Sequence, residues 1–385
     1  MTLNAHRIAR KFHIRSGLIA QSTNNLSAIA FANHCEGFLD FYEGRWDDFE
    51  SRFARAAAGF KEAGDIHSWG GGVVVHSFIA YFRGDLARTA AMTNELIRAG
   101  EGAADPQVAA WGYQNLAYAL TATGPLDEVV AILGKGQALA RKIPSWQNLA
   151  FQLALLAKGL VLQGRLVEAG VAIDESADVL QREKLVSSFD RVEMLTARAT
   201  LCLALVDQAR AAGPGGATPA AMTVATTAAM TAATAAALLA ARKACDDALS
   251  AARQMPAWLP EALRLQGTLG WLCGKTEAAQ QHWRESVAVA ARSGFPIERA
   301  RALAEMGRRS GDRAAILQAI AVFQSHGAKV FEAHALHHLA QLMATAAADA
   351  ASQVQAYDSA IAALQAVHAR GEHELACAAR NHLLQ

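Results

Sequence analysis

Three short clusters carry side chains of the kind that performs chemistry. Gly274-Lys275-Thr276 has the glycine, lysine and hydroxyl residue that close a phosphate-binding loop, in which backbone N–H groups and the lysine hold phosphates. That loop needs a further glycine five positions earlier and a preceding strand. Leu269 stands there, and no strand pattern precedes it, so the triplet reads as an inter-helix turn. Asp47-Asp48-Phe49-Glu50 begins like the metal-binding aspartates of all-α isoprenoid enzymes, but Ser51 stands where the next acid is needed. Acids in a first helical turn face the positive end of the helix dipole. His334, His337 and His338 are spaced so that two imidazoles share a helix face as zinc ligands do. No third ligand follows at a defined spacing and H-E-x-x-H is absent, so no metal site is assigned. Glu298, Arg301, Glu305, Arg308 and Arg309 lie three or four residues apart. Such pairs contribute about 0.2–0.5 kcal/mol each, and their acids cancel their bases, which describes a solvated face rather than a nucleic-acid patch. No Ser-His-Asp, Cys-His or paired-carboxylate signature occurs. The expectation is a non-enzymatic protein without a cofactor.

The elements that hold these residues follow from composition. Of the 385 residues, 52% are apolar, while aromatics make up 7% and charged residues 18%. With alanine in heavy excess, this balance favours closely packed helices over sandwiches built from β-branched and aromatic residues. Basic and acidic residues number 36 and 35, so no net field draws the chain to nucleic acid or an anionic membrane. The five cysteines form no C-x-x-C pair; the expectation is buried free thiols in a reducing compartment, the cytoplasm. Arg7, Arg10, Lys11 and Arg15 precede the first acid, Glu36. The apolar core and cleavage site of a secretory signal are missing. Such a start suits either a transit peptide or a docking helix. Between Arg210 and Arg242 there is no charge, but Gly213-Pro214-Gly215-Gly216, Pro219 and an alanine–threonine tract are too weakly apolar for a membrane span. They read as a linker running into a helix.

Positioning depends on a period. A glycine turn recurs at Gly44-Arg45-Trp46, Gly84-Asp85-Leu86, Gly124-Pro125-Leu126 and Gly164-Arg165-Leu166, at a constant spacing of 40. It returns at Gly274 and at Gly311-Asp312-Arg313. Each glycine separates two amphipathic segments, where a helix end needs positive φ before the chain reverses. Downstream, offsets +2, +5, +9 and +12 give Trp46, Phe49, Phe53 and Ala56, then Leu126, Val129, Leu133 and Gly136, then Leu166, Ala169, Ile173 and Ser176. Upstream, offsets −8, −7 and −4 give Leu116, Ala117 and Leu120, then Leu156, Ala157 and Leu160. These are narrow helical faces. A lone hairpin cannot bury both, so hairpins must stack.

The pattern resembles tetratricopeptide repeats, with a period of 40 where about 34 is usual. The best match runs from Leu263 through Gly267, Gly270 and Trp271 to Gly274, followed by Ala279, Trp283 and Ser286. Phe295-Pro296-Ile297-Glu298-Arg299-Ala300-Arg301-Ala302-Leu303 and Phe323-Gln324-Ser325-His326-Gly327-Ala328 resemble the last repeats in the C-terminal arm of bacterial class III adenylate/guanylate cyclase–ATPase and signal-transducing ATPase regulators. Asp40 and Gln266 stand where that family has bulky apolar residues, which would shift the register by one residue. Gly70-Gly71-Gly72 in the second hairpin would weaken its helix by about 1 kcal/mol per glycine relative to alanine.

The expected architecture is all-α: a right-handed α-solenoid of about eight helical hairpins. A basic segment covers 1–20, repeats cover 21–212, a low-complexity linker 213–234, and further repeats 235–385. The resemblance implies that offsets −13, −10, −6 and −3 or −2 line a concave groove. It assigns there His34, Phe38, Tyr42, Phe78, Tyr81, Trp111, Gln114, Tyr118, Lys158, Arg264 and Trp271. Aromatic side chains with a polar tip suit recognition of a protein segment or small effector. The expected function is a scaffold or effector-sensing arm of a bacterial signalling system, with no membrane or nucleic-acid partner. An all-α enzyme with an unrecognised pocket and a self-assembling repeat protein are the alternatives.

Overall fold

The computed structural model describes residues 2–143, 145–182, 188–211, 224–345 and 349–384. They form eighteen α-helices and no strand. In chain order these are α1 (Thr2–Ser22), α2 (Leu26–Tyr42), α3 (Trp46–Ala63), α4 (Ile66–Phe82), α5 (Leu86–Gly102), α6 (Pro106–Thr123), α7 (Leu126–Ala140), α8 (Trp146–Leu162) and α9 (Leu166–Arg182). There follow α10 (Ser188–Ala211), α11 (Val224–Ala252), α12 (Leu259–Leu272), α13 (Thr276–Ser293), α14 (Pro296–Ser310), α15 (Arg313–His326), α16 (Lys329–Thr345), α17 (Ala350–Ala366) and α18 (Arg370–Leu383). Eighteen helices exceed the sixteen of eight hairpins because α1 and α18 flank the pairs. The glycine–proline part of the expected linker, 213–223, lies outside the described residues, whereas 224–234 is already helix α11.

Local chemistry explains where the helices start and stop. Asn25, Asp65, Asp85, Asp105, Asp312 and Asp349 each cap an N-terminus with a side-chain oxygen on a first-turn N–H, satisfying donors that no helical carbonyl reaches. The six turn glycines all have positive φ, between 69 and 79°. The downstream face is buried as its spacing requires: Trp46, Phe49, Phe53 and Ala56 in α3, and Leu126, Val129 and Leu133 in α7.

The helices form two layers. Each helix packs on the next, and the even-numbered ones also touch in succession, α2 on α4, α4 on α6, and so to α18. They make the inner layer. That layer returns on itself, with α14 against α4 and α16 against α6. The first four glycine turns then meet the second half of the chain in order. Gly44 lies against Pro256, Gly84 against Pro296 and His326, Gly124 against Val330 and Val367, and Gly164 against Gly371. Leu126 N donates to Val367 O at 3.0 Å and Gly371 N to Gln163 O at 3.3 Å. A side chain at Gly84 would collide with His326, so glycine is needed there for close approach as well as for φ.

Two expected register shifts are corrected. Asp40 causes no register shift: it is fully buried as a carboxylate shared by Arg10, Arg45 and Arg52, which clip α1, α2 and α3 together. Gln266 donates to Asp246 at 2.9 Å. The Gly70-Gly71-Gly72 run lies within a continuous α4, and a Cβ at Gly72 would sit 2.0 Å from the Phe53 ring and one at Gly70 3.0 Å from Val108. The helical cost is offset by the close packing it admits. Of the five free thiols, only Cys245 is buried, and Cys273 is exposed.

Candidate functional site

An aromatic cavity of about 290 Å³ opens between inner helices α2, α4, α6 and α10. Phe31, His34, Phe38 and Tyr42 come from α2, His67, Gly71 and Val74 from α4, Trp111 from α6 and Phe189 from α10. On α2 the spacing of three and four puts all four side chains on one face. Gly71 keeps the opposite wall open: a Cβ there would approach His34 at 3.5 Å and Trp111 at 3.9 Å.

The rings brace one another. His34 meets Phe38 edge-on at 4.8 Å and Phe60 at 5.4 Å, and His67 lies 5.2 Å from Trp111. His67 Nδ1 is 2.9 Å from Asp105 Oδ2, while the other Asp105 oxygen accepts from the N–H groups of Gln107 and Val108. Burial opposes ionisation of Asp105, but these donors outweigh it and lower its pKa. Burial lowers the His34 pKa to about 4 against the pull of Asp65, so the imidazole is neutral at pH 7. Among the described residues no Lys, Arg, Asp or Glu lines the cavity, whose walls therefore suit an uncharged, apolar or flat group.

Four groove residues inferred from the resemblance, His34, Phe38, Tyr42 and Trp111, meet in this cavity. Seven do not. Phe78, Tyr81 and Tyr118 occupy inner-layer positions but are buried, because the returning chain fills that side. Phe78 packs on Tyr118 at 5.2 Å, Phe151 at 5.6 Å, Phe189 at 5.7 Å and Trp258 at 6.1 Å. Gln114 belongs to a buried amide ladder, accepting from Asn148 at 2.8 Å and donating to Asn115 at 3.2 Å. Trp271 stands apart against Trp283, 5.9 Å between centroids.

Lys158 and Arg264 join an interior ion cluster. Lys158 Nζ reaches Glu193 at 2.8 Å and Glu261 at 2.9 Å, and Trp258 Nε1 donates to Glu193 at 2.6 Å. Burial alone would lower the Lys158 pKa, but the two carboxylates raise it. A lysine held protonated is no nucleophile. Burial would also raise Glu261, yet Lys158, Arg301 and Arg264 bring it down to about 2. Glu193 goes the other way, pushed up by burial and by the charge on Glu261 despite Lys158.

The sequence reading omitted Phe31, Gly71 and Val74, although offset −13 from Gly44 is Phe31 and offsets −13 and −10 from Gly84 are Gly71 and Val74. Phe189 and His67 stand at none of these offsets. Among the described residues no group of three or more His, Cys, Asp or Glu is placed to hold a metal ion, and no helix is long and apolar enough to cross a membrane.

Fold and cavity together define an all-helical protein of successive helix pairs with an aromatic recess in its inner layer. No family model and no curated protein matches the chain. Among solved structures it is similar to one described as a circular tandem repeat protein with novel repeat topology and enhanced subunit contact surfaces. The two are 14% identical over 98% of this chain and 88% of that one, with a TM-score of 0.20. A superposition that loose carries no argument about geometry or role.

Proposed function

We propose that the chain is a non-enzymatic recognition scaffold, a tetratricopeptide-like solenoid that binds an apolar, preferably aromatic, group of a partner in the α2–α4–α6 cavity. The observation that carries this reading is the recurrence of lining residues at equivalent offsets of three successive inner helices, around a cavity with no charged side chain among its described lining residues. At about 290 Å³ the space lies at the lower end of the range for ligand pockets, about 300–1,000 Å³. It accommodates one side chain or one ring system rather than a nucleotide. The resemblance of the last third to regulator arms favours a sensing part in a cytoplasmic bacterial signalling system.

Isothermal titration with indole tests the site. Wild-type protein should bind saturably, and Trp111→Ala should lose binding while melting as wild type does. Tyr118→Ala should instead lose stability, because that ring is core. Unchanged indole affinity in the folded Trp111→Ala variant would reject the cavity. A second reading, self-assembly, is favoured by α1, whose Phe12, Leu18 and Ile19 are 66, 63 and 56% exposed. It would show as a concentration-dependent mass that Phe12→Glu abolishes.

A further inference from the structure

A second cavity of about 540 Å³ lies where α8, α10, α12, α14, α16 and α18 converge, away from the aromatic recess. One wall is apolar, with Leu203, Leu265 and Leu375. The other is charged, with Arg264, Arg308 and Arg309 beside Asp207, Glu305 and Glu372. Three cations and three anions cancel formally, so the kind of ligand depends on which of them still has bonding capacity.

The carboxylates are already engaged. Glu305 accepts from Thr268 at 2.8 Å, from Arg308 Nε at 3.0 Å and from Arg309 Nε at 3.1 Å. Asp207 accepts both terminal nitrogens of Arg309, and Glu372 is bonded to His337 Nδ1. Arg264 differs. Its Nε and Nη2 are buried and find no acceptor among the described residues; the nearest carboxylate oxygen there, Glu261 Oε1, is 3.6 Å from Nη2, beyond hydrogen-bond reach. Nε and Nη2 form one edge of the guanidinium, a pair of parallel donors matched to the two oxygens of a carboxylate. His334 Nε2, likewise buried without a partner, belongs to a residue lining the same cavity. A buried cation with unmade bonds is costly, and burial together with the neighbouring Arg301 lowers the Arg264 pKa. An anion would relieve this, whereas the cavity's carboxylates already accept from Thr268, Arg308, Arg309 and His337.

We propose that this cavity binds a small organic carboxylate, its head on Arg264 and its aliphatic body along Leu203, Leu265 and Leu375. The site is independent of the aromatic recess and of the function proposed for it.

Octanoate is the probe, measured by isothermal titration on the full chain, with 1-octanol and octylamine as neutral and cationic counterparts. Octanoate should bind one to one and the other two at least tenfold more weakly. Arg264→Gln should weaken octanoate at least tenfold. Because that variant disturbs the ion cluster, Ala204→Phe, which fills the cavity and leaves every arginine in place, should block binding as well. Trp111→Ala should bind octanoate like wild type. No octanoate binding by wild type, equal binding of 1-octanol, undiminished binding by either cavity variant, or loss of binding in Trp111→Ala would each overturn the proposal.

Discussion

Two neighbouring glycines of α4 should respond to alanine in opposite directions. Gly71 and Gly72 share one helical turn, so each substitution gains about 1 kcal/mol of helix propensity. Their surroundings differ. At Gly71 the added methyl would meet His34 at 3.5 Å, an ordinary contact. At Gly72 it would lie 2.0 and 2.4 Å from two carbons of the Phe53 ring. That ring cannot yield cheaply: it is 6% exposed, stacked on Phe49 at 5.8 Å and edge-on to His76 at 5.2 Å. Overpacking of this kind costs about 1–3 kcal/mol or somewhat more. Gly71→Ala should therefore stabilise by about 0.5–1 kcal/mol, and Gly72→Ala, whose 2.0 Å contact puts it at the upper end of that cost, should destabilise by about 2 kcal/mol after the propensity gain. Urea titration followed by helical circular dichroism measures both as midpoint shifts at unchanged slope. A Gly72→Ala protein as stable as wild type would refute the argument that Gly72 is there to admit Phe53.

Lys158→Met leaves Glu193 and Glu261 buried without their shared cation and should cost about 3–5 kcal/mol at pH 7; a loss below about 1 kcal/mol in urea would show that the cluster is hydrated and loosely held. His34 supplies a pH dependence. Its folded pKa of about 4 lies below the ordinary value near 6.5, so between these limits the unfolded chain binds a proton that the folded chain refuses, and stability falls as pH falls. The 2.5-unit gap corresponds to about 3.4 kcal/mol, or about 2 kcal/mol allowing for residual solvent contact. His34→Phe should flatten the stability curve by that amount between pH 6.5 and 4; parallel curves for the two proteins would refute it.

Turn glycines and amphipathic faces were legible in the sequence because they are local. A helix end that must reverse demands positive φ at Gly44, Gly84, Gly124 and Gly164 whatever surrounds it, and the Trp46, Phe49, Phe53, Ala56 face follows from helical periodicity alone. What the same residues do in space depends on partners far along the chain. Phe78 and Tyr118 occupy the offsets of a groove lining, yet Phe189 and Trp258 pack on Phe78, and Tyr118 is buried among Phe78, Tyr81 and Phe151; no pattern near Phe78 encodes the return of α10 and of the turn at Trp258. The same long-range closure accounts for Lys158, whose partner Glu261 is 103 residues away, and for Glu298, Arg301 and Glu305. These charges read locally as a solvated stripe but lie largely buried against α12 and α16. The recess at Trp111 stays open where the chain's return is incomplete: α2 and α4 are covered from one side by Phe189, while Phe31, at 56% exposure, marks the mouth. In this fold, then, the inner face is divided by how far the second half reaches over the first. The covered part is core and ion cluster, and the uncovered part is the aromatic recess proposed above to bind a partner's apolar group.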